Sequence, residues 1–203
     1  MTSPAFLLLA SVVVALASAQ EDDSCRTRPA GWPERPPQCC SLPFPLEGMK
    51  RQFGACIRQI GRPSSAVPTA KAVRDARLCI EECVYKGLGF FDKSLKKESI
   101  AEELKKGVEK YPLWTKPMND AVKACFEEAD KAEQDESLCD QTPHVFTHCV
   151  MRQLFLTCPA SEWTDSEDCK LVKGRMEVCP NIPPPPPPPP QRPPQGFPRY
   201  RQE

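Results

Sequence analysis

The distribution of twelve cysteines constrains this 203-residue chain more than any other feature of its sequence. Their number is even and no CxxC motif occurs, which favours a framework of disulfide bonds over a zinc or redox site. Cys79 and Cys83 are spaced i, i+4 in a helix-favouring segment, so both sulfur atoms would lie on one helical face. A bond between them would constrain almost nothing, and we therefore expect each to join a different helix.

The first residues predict export. Residues 5–17 form a short apolar run, and Ala17, Ser18 and Ala19 have the small-x-small pattern that signal peptidase cleaves. The run is too short to span a membrane, although the residues before it include no Lys or Arg. We expect residues 1–19 to be a signal peptide and the mature, extracellular chain to begin at Gln20.

The middle of the chain has the periodicity of α-helices. Ile100, Leu104 and Val108, for example, recur every four residues, and no alternating strand pattern or internal repeat is found. The predicted fold class is all-α, a disulfide-stapled bundle of roughly six or more helices. The segments with helical periodicity are residues 47–60, 69–86, 95–111, 116–134, 143–158 and 165–179. The breakers expected between them are residues 61–68, Gly87 to Gly89, Pro112, Pro143 and Pro159.

Proline dominates both ends of the mature chain. Residues 20–46 are predicted to be irregular and to be held down by their cysteines, and residues 20–182 form the predicted helical domain. Residues 183–203 form a separate tail that begins with eight consecutive prolines, Pro183 to Pro190, and should be extended polyproline II or disordered. We interpret the tail as a solvated spacer, and the alternative is a ligand for a proline-recognising domain.

Charge and motif content argue against several classes of function. Lys plus Arg and Asp plus Glu both number 27, a balance that argues against nucleic acid or an anionic membrane as partner. No other apolar stretch is long enough to span a membrane, so the mature chain should not be membrane-inserted. No GxSxG motif occurs and every cysteine is expected to be bonded, so we predict no catalytic residue, no metal and no cofactor.

Two local features have more than one interpretation. His144 and His148 are spaced i, i+4, and they could be a metal pair, a pair that titrates at mildly acid pH, or two solvated side chains. The segment from Gly87 to Gly89 could be a hinge that turns the chain, or a plain helix C-cap. The two phenylalanines that follow it, Phe90 and Phe91, would then enter the interior.

The spacing of the cysteines resembles the six-cysteine framework of insect odorant-binding proteins. The matching order is C-x22-C-x3-C-x41-C followed by C-x8-C. Three further features are similar to the twelve-cysteine Plus-C subgroup: an additional cysteine separated by nine residues from the last pair, a proline directly after that pair, and two trailing cysteines. The six framework positions are Cys56, Cys79, Cys83, Cys125, Cys149 and Cys158, and the other six are Cys25, Cys39, Cys40, Cys139, Cys169 and Cys179.

This resemblance implies a pairing for the framework. Carried over position by position, it implies the bonds Cys56–Cys83, Cys79–Cys149 and Cys125–Cys158. The other six cysteines would pair among themselves, and the sequence does not choose between their pairings. A direct bond between the neighbours Cys39 and Cys40 would be strained.

The resemblance also implies a function, the carriage of small hydrophobic molecules such as odorants or pheromone-like ligands in an apolar cavity. A membrane receptor and a second copy of the chain are the further partners that it suggests. The alternative is a secreted interaction protein, such as an inhibitor or matrix component, with a filled core. The candidate wall residues, each of which could instead be ordinary core, are Phe90, Phe91, Leu104, Val108, Trp114, Met118, Val122, Phe126, Phe146, Val150 and Phe155.

Overall fold

The computed structural model describes residues 25, 27, 29–43, 47–61, 67–133, 139–180 and 182. The expected signal peptide at residues 1–19 and the proline run from Pro183 to Pro190 lie outside the described residues. Within the described ranges the chain forms six α-helices and one 3-10 turn, and β-structure is confined to two isolated bridges. The predicted all-α class is confirmed.

The helices begin and end close to the residues that the periodicity predicts. Proline accounts for the main difference. The sequence predicts that Pro112 separates two helices, whereas it lies in the first turn of one, where its missing N–H group is not needed. Pro143 likewise lies in the first turn of its helix. The elements are α1 (Glu47–Ile60), α2 (Ala70–Gly87), α3 (Lys97–Val108), α4 (Pro112–Ala129), α5 (Thr142–Leu156), a 3-10 turn (Ala160–Glu162) and α6 (Glu167–Val178).

The core is organised around α4 and α5, which make the most extensive helix–helix contact. α3 packs on α4, α2 packs on α5, and α1 packs on α2. A second, smaller core cluster lies where α6 meets the end of α5 and the proline-rich N-terminal segment. Its buried members are Cys39, Phe155, Cys169, Val172 and Met176.

Six disulfide bonds connect these elements and use all twelve cysteines. The expected bond Cys56–Cys83 is present and joins α1 to α2. The i, i+4 spacing predicts that Cys79 and Cys83 join two different helices. Cys83 does bond a helix, α1, whereas Cys79 bonds the segment just before α5. The other bonds are Cys79–Cys139, Cys125–Cys149, Cys40–Cys158, Cys39–Cys169 and Cys25–Cys179.

Two of the implied bonds, Cys79–Cys149 and Cys125–Cys158, are therefore wrong. Cys149 lies in the interface between α4 and α5, where its nearest cysteine is Cys125 of α4. Cys139 lies just before α5, and it bonds Cys79 on α2. Cys158, two residues beyond the end of α5, bonds Cys40 in the proline-rich segment.

The turn after α2 is a helix C-cap. Gly89 has a positive φ of 74°, and its N–H group donates to the carbonyl of Lys86. The N–H group of Phe90 donates to the carbonyl of Tyr85 at 2.8 Å, which completes a Schellman motif. The rings of Tyr85 and Phe90 lie 6.2 Å apart in an edge-to-face arrangement. The cap thereby directs Phe90 into the core, and Phe91 is buried beside it.

Candidate functional site

A small apolar cavity lies between α1, α2, α3 and α5. Its volume is about 30 Å³, and none of the residues that line it is charged. α1 contributes one residue, the Schellman turn contributes one, and α5 contributes four. The lining residues are Met49, Tyr85, Phe90, Ile100, Leu104, Phe146, Thr147, Val150 and Met151.

One hydrogen bond crosses the cavity wall. The hydroxyl groups of Tyr85 on α2 and Thr147 on α5 lie 2.8 Å apart. Burial raises the pKa of Tyr85 well above its ordinary value, a rise that the hydrogen bond to Thr147 opposes and the charge of Glu81 adds to. The phenol therefore stays neutral at physiological pH, and the pair is the polar group available to orient a ligand.

The cavity in this conformation is smaller than a ligand site. A volume of about 30 Å³ can hold water, whereas sites for small organic molecules usually measure about 300–1,000 Å³. The two methionines of the wall, Met49 and Met151, are each partly exposed. Methionine is unbranched and has three rotatable bonds, so these two side chains can move with little cost. Enlargement of the cavity would therefore begin at the edge where α1 meets α5.

The eleven predicted wall residues have different positions. Four of them line the cavity: Phe90, Leu104, Phe146 and Val150. Five are buried in the same core cluster without lining the cavity, namely Phe91, Val108, Trp114, Met118 and Val122. The remaining two aromatic residues are outside these groups. Phe126 is partly buried and stacks on Phe146 at 4.7 Å, and Phe155 belongs to the second core cluster, 5.5 Å from Trp163.

Sequence reasoning missed five lining residues. Ile100 could have been found, because it belongs to the same i, i+4 series as Leu104. Tyr85 and Thr147 carry hydroxyl groups, so a search for aromatic and aliphatic residues passed over them. Met49 and Met151 lie on helices that are far apart in sequence, and no local pattern relates them.

A charged network lies on the α2–α5 contact, one turn from Tyr85. The carboxylate of Glu81 is buried, and it accepts hydrogen bonds from Arg77 at 3.0 Å and from the Nδ1 atom of His144 at 2.9 Å. Burial lowers the pKa of His148, and the positive charges of His144, Arg77 and Arg152 lower it further, while Glu81 opposes them. These histidines thus belong to a partly buried network.

Other candidate sites are weaker. No group of three or more His, Cys, Asp or Glu side chains able to hold a metal ion occurs in the described ranges. None of the helices described is long and apolar enough to cross a membrane. An open groove of about 390 Å³ lies between α4 and α5, but exposed Lys116 and Asp120 form an ion pair at its edge, so it does not suit an apolar ligand.

The described residues thus form a disulfide-stapled helical protein, in which six helices and six disulfides surround a small apolar cavity. A sequence model of the AgamOBP47-like family matches residues 69–174, which include α2 to α5 and most of α6. The chain belongs to this family, and the resemblance noted from its cysteines is confirmed.

Three relatives from Anopheles gambiae are similar to the chain over different lengths. General odorant-binding protein 67 is 28% identical over 109 residues, a match that spans only about half of each protein, 49% of this chain and 52% of the relative. Odorant-binding protein 47 is 24% identical over 83% of this chain and 78% of its own length. General odorant-binding protein 68 is 27% identical over 86% of this chain and 84% of its own length.

Proposed function

We propose that the protein is a secreted carrier that binds small hydrophobic molecules, such as odorants or pheromone-like compounds, in the cavity between α1, α2, α3 and α5. The observation that carries this proposal is the chemistry of the cavity wall. The wall combines aliphatic, aromatic and methionine side chains with one pair of hydroxyl groups, those of Tyr85 and Thr147. This composition is typical of sites that bind apolar ligands and orient them through one polar contact. The names of the relatives agree with it.

Binding requires the cavity to expand. A ligand with a few hundred Å² of apolar surface gains about 25 cal/mol for each Å² that it buries, which offsets the cost of displacing side chains. Met49 and Met151 are the side chains that can move most easily, since both lie at the partly exposed edge of the cavity. We therefore place the ligand entrance between the N-terminal half of α1 and the middle of α5.

A displacement titration tests the carrier function. Neutral hydrophobic compounds should displace a naphthylamine-type fluorescent probe from the purified, oxidised protein with micromolar affinity. Met151→Trp should weaken probe binding at least tenfold, because the larger ring would occupy the entrance. Leu113→Trp is the matched control, since Leu113 is an exposed apolar residue on α4 and does not line the cavity. Equal effects of the two substitutions would place the probe elsewhere.

Export is part of the proposal. The six disulfides fit an oxidising compartment, and the predicted signal peptide provides the route. Expression in insect cells should yield a secreted chain whose first residue, measured by mass spectrometry, is Gln20. Delivery to a membrane receptor and pairing with a second copy of the chain are further partner hypotheses within this proposal.

One observation favours a second candidate, a secreted interaction protein with a filled core. The cavity is small, and most of the predicted wall residues that do not line it are fully packed. Such a protein would act as an inhibitor or matrix component through its surface. A flat titration with every hydrophobic compound tried, combined with an intact cooperative melt, would favour this candidate over the carrier.

A further inference from the structure

One face of α1 is apolar and only partly covered. Phe53, Ile57 and Ile60 are 40%, 36% and 36% exposed, and their spacing places them along one side of the helix. We call these three residues the α1 stripe. Large apolar side chains are usually buried, so an exposed row of them on one helix suggests a binding surface.

The α1 stripe is continuous with the cavity. Met49, which lines the cavity, lies four residues before Phe53 and eight before Ile57, so it lies on the same side of the helix. From Met49 to Ile60 the helix rises by about 16 Å. An extended hydrocarbon chain that enters at Met49 could thus lie along the stripe, and it would gain the contact that a cavity of about 30 Å³ cannot provide alone.

The charges of α1 are strongly unbalanced. The helix carries exposed Lys50, Arg51 and Arg58, whereas its one acidic residue is Glu47 at the N-terminus. Lys50 is about 60° around the helix axis from Phe53, and Arg58 is about 100° from Ile57, so both side chains are long enough to reach the stripe. Arg51 is about 120° or more from every residue of the stripe. A partner that complements this face combines an apolar chain with a negative charge.

We propose that the α1 stripe, with Lys50 and Arg58, binds a long-chain carboxylate whose hydrocarbon tail passes Met49 into the cavity. This inference rests on the proposed carrier function and specifies its ligand class. A membrane surface fits less well, since the exposed fractions of 36–40% show that the protein covers much of each side chain, whereas membrane-binding residues project outward. Three half-exposed side chains also offer too little area for a stable dimer.

The test compares dodecanoate with dodecan-1-ol in displacement titrations of the mature, oxidised chain at pH 7.5. At low ionic strength dodecanoate should bind about three- to fivefold more tightly, and added salt should reduce the difference. Tetradecanoate should bind about tenfold more tightly than dodecanoate, because two more methylenes are buried. Equal affinity for the acid and the alcohol would overturn the inference and leave the carrier function intact. Failure of both compounds to bind would instead remove the carrier function.

Two sets of variants locate the contact. Phe53→Ser combined with Ile57→Ser should weaken dodecanoate about tenfold, whereas the control Leu113→Ser should not change its affinity. The double variant Lys50→Gln and Arg58→Gln should abolish the preference for the acid without changing the affinity for the alcohol. Its matched control replaces two exposed lysines of other helices with Gln, namely Lys105 and Lys123. Equal effects of α1 and control variants, or α1-dependent binding to phosphatidylglycerol vesicles, would overturn the assignment.

Discussion

The hydroxyl groups of Tyr85 and Thr147 form a 2.8 Å hydrogen bond that joins α2 to α5 at the cavity wall. In the proposed carrier this pair has two roles, because it holds two helices together and gives an otherwise apolar cavity one polar contact. Since the phenol stays neutral, it can donate this bond over the whole physiological pH range.

Replacement of Tyr85 by Phe should show what the hydroxyl group contributes, apart from the packing of the ring. The substitution retains the ring and removes the hydroxyl group, so we expect the free energy of unfolding to fall by about 1 kcal/mol. Urea denaturation measures this change, and Tyr111→Phe is the control, because Tyr111 is about half exposed. If Tyr85→Phe lost no more unfolding free energy than Tyr111→Phe, the hydrogen bond would contribute nothing to stability.

Stability should decrease when the pH falls through the ordinary pKa of histidine. The pKa of His148 is lowered in the folded protein, first by burial and then by the charges of His144, Arg77 and Arg152. The unfolded chain therefore binds this proton more readily, so the contribution of neutral His148 is complete above about pH 6.5 and is lost at lower pH. In urea titrations at pH 7.5 and 5.5, the free energy of unfolding should fall less between the two pH values for His148→Gln than for the unsubstituted protein. Identical losses would contradict the assignment to His148.

The bond Cys79–Cys139 should be found by peptide mapping under non-reducing conditions. The double variant Cys79→Ser and Cys139→Ser should remain folded, contain no free thiol and lose about 3–4 kcal/mol of unfolding free energy, because a long loop is released in the unfolded chain. Cys79→Ser with Cys149→Ser breaks two bonds, and thiol titration should then detect two free sulfhydryl groups. A thiol-free second variant would instead support the implied Cys79–Cys149 bond.

The cysteines show how far sequence reasoning extends in this protein. A stapled helical fold is predicted by their even number and by the i, i+4 spacing of Cys79 and Cys83, and this prediction is confirmed. Which cysteine bonds which other cysteine, however, depends on which helix faces meet in three dimensions. Cys149 faces α4 and Cys139 lies beside α2, and neither position can be inferred from the spacing of the cysteines along the chain.

The same limit applies to the helices and to the cavity. α1 has the residue range that its periodicity predicts, whereas α4 begins earlier than expected because a proline is tolerated in the first helical turn. Among the predicted wall residues, Phe90 and Leu104 line the cavity while Phe155 lies in another cluster. Periodicity identifies the buried face of a helix, but it does not indicate which part of that face borders a void. The binding roles of the wall residues stay predictions.

The glycine in the Schellman motif should be difficult to replace. Gly89 has a positive φ and no atom within 4 Å of an added Cβ, so Gly89→Ala should cost about 1 kcal/mol through backbone conformation alone. Gly174→Ala in α6 is the matched control: its added Cβ also meets nothing within 4 Å, and its backbone is helical. There the change should stabilise the protein by about 0.5–1 kcal/mol. Thermal or urea unfolding that gave the two variants the same sign would contradict this account of the turn.

Methionine methyl NMR tests the central claim, that a ligand enters the cavity between α1 and α5, most directly. The chain has five methionines, and the four in described regions divide evenly: Met49 and Met151 line the cavity, while Met118 and Met176 are buried outside it. With methyl-labelled protein, saturating dodecan-1-ol should shift the signals of Met49 and Met151 strongly and leave that of Met176 unchanged. Unchanged signals of Met49 and Met151 at saturation would contradict the carrier account.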